Sequence, residues 1–481
     1  DMIVPIKSLE DLALPSLIQN ISQLQVAYRL LAQLKCYISD IKKIAAIMKS
    51  NDNKSFFELP HKDIKKITSK QWIFLLSDFE KRILSQVDSI ISHSRFRQTE
   101  ANWLSIKHLL ASTEDYRICH IDVLDISKQV LTEDCQDSSS FLTTQLYDAV
   151  YTQELGQFGG LPYACIIGAY EFSSTATDIE VLRIISQVCA VAHAPFIAAA
   201  SSTIWSLTDY KKFINISQVV EAHKTGKVMK KWQGLVKEPS SKYLFLSLPK
   251  VKLRGAYHYA KNDTGGLPFI EKNTGNNQCL WGISAFCIAE CLFESFHNCK
   301  SGLGVTAEHG NKSNLGMPEL LLDYDACLEF IDNGFVPLLY KKEDKAVLFY
   351  AIPSINNLIT KKSKSTKTEE QLGEELVRQL PYLMMISRVM QYLRVIQRDT
   401  VGNNDMHTVK VLLKEWLGNY VADMENPTDK IRIKRPLRSA EIDISPSKDG
   451  TNDMIMSLKI VPHMKYYGKA YNLSLDSSIA T

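Results

Sequence analysis

The stretch from Glu154 to Phe172 constrains the fold more than any other part of this sequence. An apolar run of strand character, residues 163–169, follows a turn that contains Gly156, Gly159 and Gly160. A second run of small apolar residues lies at 192–200, one helix length further along. Two buried segments separated by a helical spacer indicate a strand, a helix and a strand. The sequence therefore predicts a mixed α/β core.

The glycine turn lacks the features of a phosphate-binding loop. It has no Lys-Ser/Thr pair, and it precedes its strand instead of joining a strand to a helix. It also lacks the glycine spacing and the downstream acid of a dinucleotide-binding fingerprint. We therefore interpret Gly156, Gly159 and Gly160 as a structural turn of the core.

Composition excludes several classes of protein. Apolar residues make up 45% and charged residues 23% of 481 residues, which is ordinary for a globular protein. The net charge of +3 is too small to indicate a nucleic-acid partner. No uninterrupted apolar run approaches the roughly 18 residues of a membrane helix, so we expect no membrane insertion. Ten cysteines without a CxxC pair predict reduced thiols and a cytoplasmic location.

Hydrophobic periodicity divides the chain into three regions. We expect an N-terminal helical region at 1–110, a central α/β region at 111–370, and helices followed by strands at 371–481. In the first region, Leu24 and Leu31 belong to an apolar helical face. That face either packs on the protein's own core or docks on a partner.

Four segments carry more local predictions. Alternation over 119–126 predicts a half-buried strand, and the Gly- and Asn-rich residues 254–277 predict a long loop. The pattern of residues 279–295 predicts one helix. The strongest helical pattern covers 374–399, with Pro381 near its start.

The C-terminal residues change from helical to alternating patterns. Residues 438–444 and 454–462 alternate, and 471–475 forms a third short piece with strand character. Strands with free edges at a chain end are natural sites for pairing with another chain. The residues predicted to form this inter-subunit linkage are Ala440, Ile442, Ile444, Met454, Ile455, Leu458 and Val461.

No catalytic or metal-binding pattern stands out. Cys287 and Cys291 are spaced for one helical face, but their apolar neighbours favour core packing over zinc ligation. His193 lies between alanines, which favours a buried histidine over a catalytic base. These observations favour a non-enzymatic assembly protein. The alternatives are an enzyme with a site around the glycine turn and His193, and a monomeric scaffold.

Several separated motifs resemble one known family. They are ELGQFGGLPY from Glu154, AHAPFIAAA from Ala192, GFVPL from Gly334, LPYLMMISRVMQYL from Leu380, and RPLR from Arg435. Phe96, Glu100 and Trp103 add a helical motif. In this order they resemble the large sheath subunit of bacterial type VI secretion systems, the TssC or VipB family, and within it the IglB branch of Francisella. Leu155 and Leu161 depart from that pattern, where the family usually has Tyr and Glu.

The resemblance implies a structural role without a cofactor. The family is implied to pair with a smaller subunit of the TssB, VipA or IglA type as a heterodimer. Heterodimers are implied to form stacked six-fold rings around an inner tube of Hcp-like protein, attached to a baseplate. Terminal strands of neighbouring protomers are implied to share sheets, and an AAA+ ATPase to disassemble the contracted sheath.

Overall fold

A computed structural model describes residue 81 and residues 83–112, 119–210, 227–259, 269–271, 279–309, 311–356, 376–400, 406–424, 427–446, 454–466, 469–472 and 475–480. The chain divides into two compact units. The first comprises Asp1–Arg97 and Gly255–Gln278, and the second comprises Gln98–Arg254 and Cys279–Thr481. The predictions on Leu24 and Leu31 lie outside the described residues.

The helices follow one another along most of the chain. They are α1 (Ser94–Ala111), α2 (Lys128–Asp137), α3 (Ala176–Ala192), α4 (Lys227–Lys237), α5 (Ala285–Cys299), α6 (Tyr324–Asp332), α7 (Leu380–Thr400), α8 (Met406–Gly418) and α9 (Asp429–Lys434). A π-helix at Asp148–Leu155 follows a single α-helical turn, Gln145–Tyr147. Pro381 is the second residue of α7, where its missing N–H leaves no helical hydrogen bond unmade.

The strands are short in the first two thirds of the chain and longer at its end. They are β1 (Ile166–Phe172), β2 (Phe196–Ala200), β3 (Leu244–Leu248), β4 (Val251–Gly255), β5 (His258–Tyr259), β6 (Phe269–Ile270), β7 (Cys279–Gly282), β8 (Val336–Pro337), β9 (Leu339–Lys341), β10 (Ala346–Leu348), β11 (Leu437–Pro446), β12 (Met454–Tyr466), β13 (Lys469–Asn472) and β14 (Leu475–Ala480). Strands β5 and β6 belong to the first unit and pair with each other.

A four-stranded parallel sheet forms the centre of the second unit. Its order is β1-β2-β3-β8, with Ile166 opposite Phe196 and Phe196 opposite Leu244. Every residue of β2 and β3 is buried, as expected for parallel strands that are covered on both faces. Phe172, Phe245 and Phe330 are fully buried in the surrounding core. The predicted mixed α/β fold is confirmed.

Helix α3 joins β1 to β2 and has a defined signal at each end. Thr175 accepts a hydrogen bond from the Asp178 N–H at 3.3 Å, which caps the first turn. His193 ends the helix in a left-handed conformation with φ of 52°. The left-handed C-terminal residue lets the chain turn back into β2.

Three local predictions were wrong. Residues 119–126 form no strand, and Val123 and Leu124 are exposed. Ile121 and Ile126 pack against the core although the segment forms no strand, so the apolar pattern there reflects burial without strand pairing. The segment predicted as a loop, 254–277, contains β5 and β6, and the helix predicted from residue 279 begins only at Ala285, after β7, which pairs with β4.

Candidate functional site

The C-terminal strands form a three-stranded meander, the C-terminal meander, with β12 at its centre. Strand β11 pairs antiparallel with β12 from Leu437↔Pro462 to Pro446↔Met454. On the other edge, β13 and β14 pair with β12 in one continuous register, from Tyr466↔Lys469 to Ile455↔Ala480. Strands β13 and β14 are therefore two parts of one outer strand.

The register divides the predicted linkage residues between the two faces of this sheet. Ile442 lies opposite Leu458, and Ile444 lies opposite Met456. Residues directly opposite each other share a face, and successive residues alternate. Ala440, Ile442, Ile444, Met454 and Leu458 are therefore on one face, whereas Ile455 and Val461 are on the other.

One end of the meander is fixed to the helical body. The Leu437 N–H donates to the Tyr420 carbonyl at 3.0 Å, and the Ala422 N–H donates to the Leu437 carbonyl at 2.8 Å. The ring of His463, which is buried, lies 2.6 Å from the Ala422 carbonyl through its Nε2. Ala440 and Ile442 also pack against a hydrophobic cluster from α7 and α8.

The outer edges of the meander are the part of it best suited to pairing with another chain. Strand β12 has a neighbour on each side, so its backbone groups are used within the chain. In the described part of the chain, β14 pairs only with β12, and β11 has a second partner only at Leu437, which forms a bridge with Val421. Their outward N–H and C=O groups can therefore accept a strand from another chain.

Helix α7 holds the glycine turn through backbone carbonyls. Arg398 Nη1 donates to the carbonyls of Glu154, Leu155 and Gly160 at 3.1, 3.2 and 3.3 Å. About two turns earlier on the helix, the Gln391 amide donates to the carbonyls of Tyr163, Ala192 and His193 at 2.8, 2.9 and 3.1 Å. The same helix thus fixes both the turn before β1 and the end of α3.

Two of the three glycines are required by the geometry of this turn. A Cβ on Gly160 would lie 2.1 Å from the Glu154 carbonyl oxygen, and Gly159 has φ of 82°. Gly156 follows the π-helix, and its N–H donates to the Tyr151 carbonyl at 2.7 Å. The Glu154 carboxylate accepts the Leu161 N–H at 2.9 Å, which closes the turn on itself. The donors here serve the protein's own backbone.

His193 shares the Gln391 amide with Tyr163, which follows the turn, but it is poorly suited to proton transfer. Its Nδ1 is 3.3 Å from the Tyr243 hydroxyl. Burial, followed by the charges of Arg394 and Lys242, lowers the pKa of His193 to about 4. Burial raises the pKa of Tyr243 to about 12. Both groups are neutral at pH 7 and titrate far from it, which disfavours the acid–base alternative.

The cysteines are core residues of α5. Cys287 and Cys291 are both buried, and burial raises the pKa of the Cys287 thiol to about 12. A protonated thiol is a poor metal ligand and nucleophile. Within the described ranges, no group of three or more His, Cys, Asp or Glu side chains is placed to hold a metal ion.

Membrane insertion also has no candidate helix where the structure describes the chain. None of the described helices combines the length and the apolar character that crossing a bilayer requires.

Sequence reasoning missed the long-range polar contacts that shape the second unit. Arg254 makes a bidentate pair with Glu100, with both N–O distances at 2.7 Å and the side chains 13% and 12% exposed. Glu100 was noted only as part of a helical motif, and Gln391 and Arg398 were not singled out. Their partners lie more than 150 residues away, and a single sequence carries no signal for such pairs.

Comparison with known proteins gives consistent matches in two parts of the chain. Residues 75–311 match the family described as EvpB/VC_A0108, tail sheath N-terminal domain. Residues 369–479 match the EvpB/VC_A0108 tail sheath gpW/gp25-like domain. The chain is 26% identical over 431 residues to the type VI secretion system sheath protein TssC1 of Pseudomonas aeruginosa, covering 84% of this chain and 85% of that protein.

A solved structure, the sheath tail protein Lin1278 from Listeria innocua, is also similar. The identity is 12% and the TM-score 0.31, over 63% of this chain. The match spans 60% of the Listeria chain.

Proposed function

We propose, from the premise that this chain belongs to the EvpB/VC_A0108 tail sheath family, that it is the large structural subunit of a type VI secretion contractile sheath. The observation that carries the proposal is the pair of sheath domains, matched in order at 75–311 and 369–479. The matched ranges contain strands β1, β2 and β3 of the central sheet and the C-terminal meander, which supports a sheath role for both parts of the second unit.

The proposal includes the partners that a sheath requires. The chain pairs with a small sheath subunit of the TssB or VipA type, and of the IglA type if it belongs to the IglB branch. The heterodimers stack as six-fold rings in the bacterial cytoplasm around an Hcp-like inner tube on a baseplate. An AAA+ ATPase recycles the contracted form. We also propose that Leu24 and Leu31 belong to a helix that docks on a partner. The proposed boundaries between the three regions of the chain stay at residues 110 and 370.

A contractile sheath needs interfaces with two stable arrangements more than it needs a catalytic site. Main-chain pairing at a strand edge suits this demand, because it is directional and tolerates different side chains. The meander supports such pairing, since one end is fixed to α7 and α8 while its outer edges face away from β12. We therefore assign the linkage to the outer edges of β11 and β14. The β12 residues Met454, Ile455, Leu458 and Val461 support those edges.

A pair of proline variants on β11 tests this linkage. Successive N–H groups of a strand point to opposite edges, so of Glu441→Pro and Ile442→Pro one removes an inward donor and the other an outward donor. The inward variant should lower the unfolding temperature of the protein. The outward variant should unfold like the wild type but fail to assemble.

Assembly is read by negative-stain electron microscopy after co-expression with the small subunit. The wild type should give long hollow tubules. A compact monomer from the wild-type pair would contradict the sheath function and favour the enzyme or scaffold alternatives. Normal tubules from both proline variants would contradict the β11 edge as the linkage and leave the sheath function standing.

A further inference from the structure

Helix α4 has one side that packs on the protein and one side that faces solvent. The exposed side consists of Lys230, Lys231, Gln233, Gly234 and Lys237. At 3.6 residues per turn, each of the three lysines lies three or four positions from Gly234, so they surround the glycine on one surface. We call the three lysines and Gly234 the α4 lysine face.

The opposite side of α4 fixes this face to the second unit. Trp232, Leu235 and Val236 are buried. The Trp232 ring is stacked on the Phe335 ring, with the ring centroids 6.1 Å apart. The last turn of the helix is held as well, because the Asn356 amide donates to the Val236 carbonyl at 2.6 Å. A helix fixed in this way loses little conformational freedom on binding, so more of its contact energy contributes to affinity.

The lysines carry positive charge that the described part of the chain does not neutralise. Residues 227–242 contain five lysines and one carboxylate, Glu238, in a chain whose net charge is only +3. That carboxylate is already paired, since Arg183 Nε lies 2.7 Å from it. None of the three lysines of the face forms an ion pair with a described residue. A surface with charges of one sign attracts a partner of the opposite sign.

Gly234 is a glycine that the described structure itself does not require. Its φ is outside the left-handed range, and a Cβ built on it would meet no atom of the described residues within 4 Å. Glycine inside a helix destabilises the helix relative to alanine. The missing side chain does, however, let the backbone of another molecule approach closely. The glycine therefore indicates a close contact on the lysine face.

We propose that the α4 lysine face docks an acidic α-helix of a partner protein, with the partner backbone against Gly234 and its carboxylates against the lysines. Lys230 and Lys237 are two turns apart, about 10 Å along the axis. A partner helix with Asp or Glu side chains at the same spacing matches both charges, and the glycine gives room for its axis to come close. This inference rests on the proposed sheath function, since the partner is sought among the other chains of the assembled sheath.

The variant Gly234→Ala separates docking from folding. Alanine favours the helix and its methyl group has room, so the unfolding temperature should rise by about two degrees. In co-expression with the small subunit and the inner-tube protein, the yield of sedimentable tubules should nevertheless fall about tenfold, because a methyl group strains a close contact. Gly418→Ala, at the exposed last residue of α8, should assemble as the wild type does. A wild-type yield from Gly234→Ala would overturn the inference.

Zero-length cross-linking tests the chemistry of the partner. A carbodiimide joins a lysine amine and a touching carboxylate in an amide bond, and the reagent takes up the released water as a urea. In purified wild-type tubules, mass spectrometry should find Lys230, Lys231 or Lys237 linked to an Asp or Glu in a helix of the small subunit or of the inner-tube protein.

Links only to other copies of this chain, or none in intact tubules, would overturn the proposal and leave the sheath function standing. A wild-type chain that forms no tubules with these partners would contradict the sheath function itself, and the inference with it.

Discussion

Acid should destabilise this protein through His193. Its imidazole is held at the end of α3 beside the Tyr243 hydroxyl, and burial first, then Arg394 and Lys242, lowers its pKa to about 4. In the unfolded chain a histidine titrates near pH 6.5. Between these values the unfolded chain binds a proton that the folded chain does not. The stability contributed by neutral His193 is therefore complete above pH 6.5 and is lost as the pH falls towards 4.

The size of this loss follows from the difference between the two pKa values. Each pKa unit corresponds to about 1.4 kcal/mol, so a drop from 6.5 to about 4 gives about 3 kcal/mol. Such a loss is a large fraction of the roughly 5–15 kcal/mol that stabilises a typical domain.

The variant His193→Asn isolates the effect. Asparagine tolerates the left-handed backbone that φ of 52° requires, and its side chain does not titrate. Urea unfolding at pH 7, 6, 5 and 4 should show the wild type losing about 3 kcal/mol more than His193→Asn over this range. Hydrogen exchange of the α3 amides should show the same difference locally.

His108 provides a control of opposite sign. Its Nε2 lies 3.3 Å from a Glu290 carboxylate oxygen, and this hydrogen bond raises the pKa of His108. Its contribution is complete below the unfolded pKa and fades as the pH rises through the folded pKa. His108→Asn should therefore cost more stability at pH 5 than at pH 8. Equal acid losses in the wild type and His193→Asn would refute the argument that burial keeps His193 neutral.

Two further variants test the contacts that shape the second unit. Arg398→Met keeps the aliphatic stem but leaves three carbonyls of the glycine turn without their hydrogen-bond donor. Hydrogen exchange of the amides at 154–163 should accelerate, and the free energy of unfolding should fall by about 2 kcal/mol. Unchanged exchange would show that other contacts hold the turn. Glu100→Gln removes the bidentate partner of Arg254 and should lower the free energy of unfolding, measured with denaturant, by about 3 kcal/mol. Adding Arg254→Leu to Glu100→Gln should recover part of that free energy. Additive losses from the two substitutions would argue that the pair does not contribute.

The parts of the fold that could be predicted from sequence are those with a repeated local pattern. The apolar runs of β1 and β2 stand out because parallel strands buried on both faces need continuous apolar residues. The helix α3 between them was expected as the helical spacer, whereas its caps, Thr175 and His193, were identified only in the structure. Alternation also indicated strands at 438–444 and 454–462, although it did not show that they pair with each other or that β12 is enclosed on both sides.

Patterns failed where the determining contact is short or distant. Strand β7 has four residues, too few for a period to distinguish it from the start of the helix that follows. In 119–126, Ile121 and Ile126 pack on the core, but the segment forms no strand. The hydrogen bonds of Arg398 to the glycine turn join residues more than 230 positions apart in the sequence.

Helix α7 connects the C-terminal meander mechanically to the glycine turn. Its 21 residues span about 31 Å at 1.5 Å per residue, and a helix of that length moves as a rod. Val389 and Leu393 share a hydrophobic cluster with β11. Gln391 and Arg398 donate hydrogen bonds to backbone carbonyls in and after the glycine turn. A pull on the C-terminal meander is therefore transmitted to the glycine turn as a shift of one body. In the proposed sheath, strain at the edges of the meander would therefore reach the glycine turn through α7.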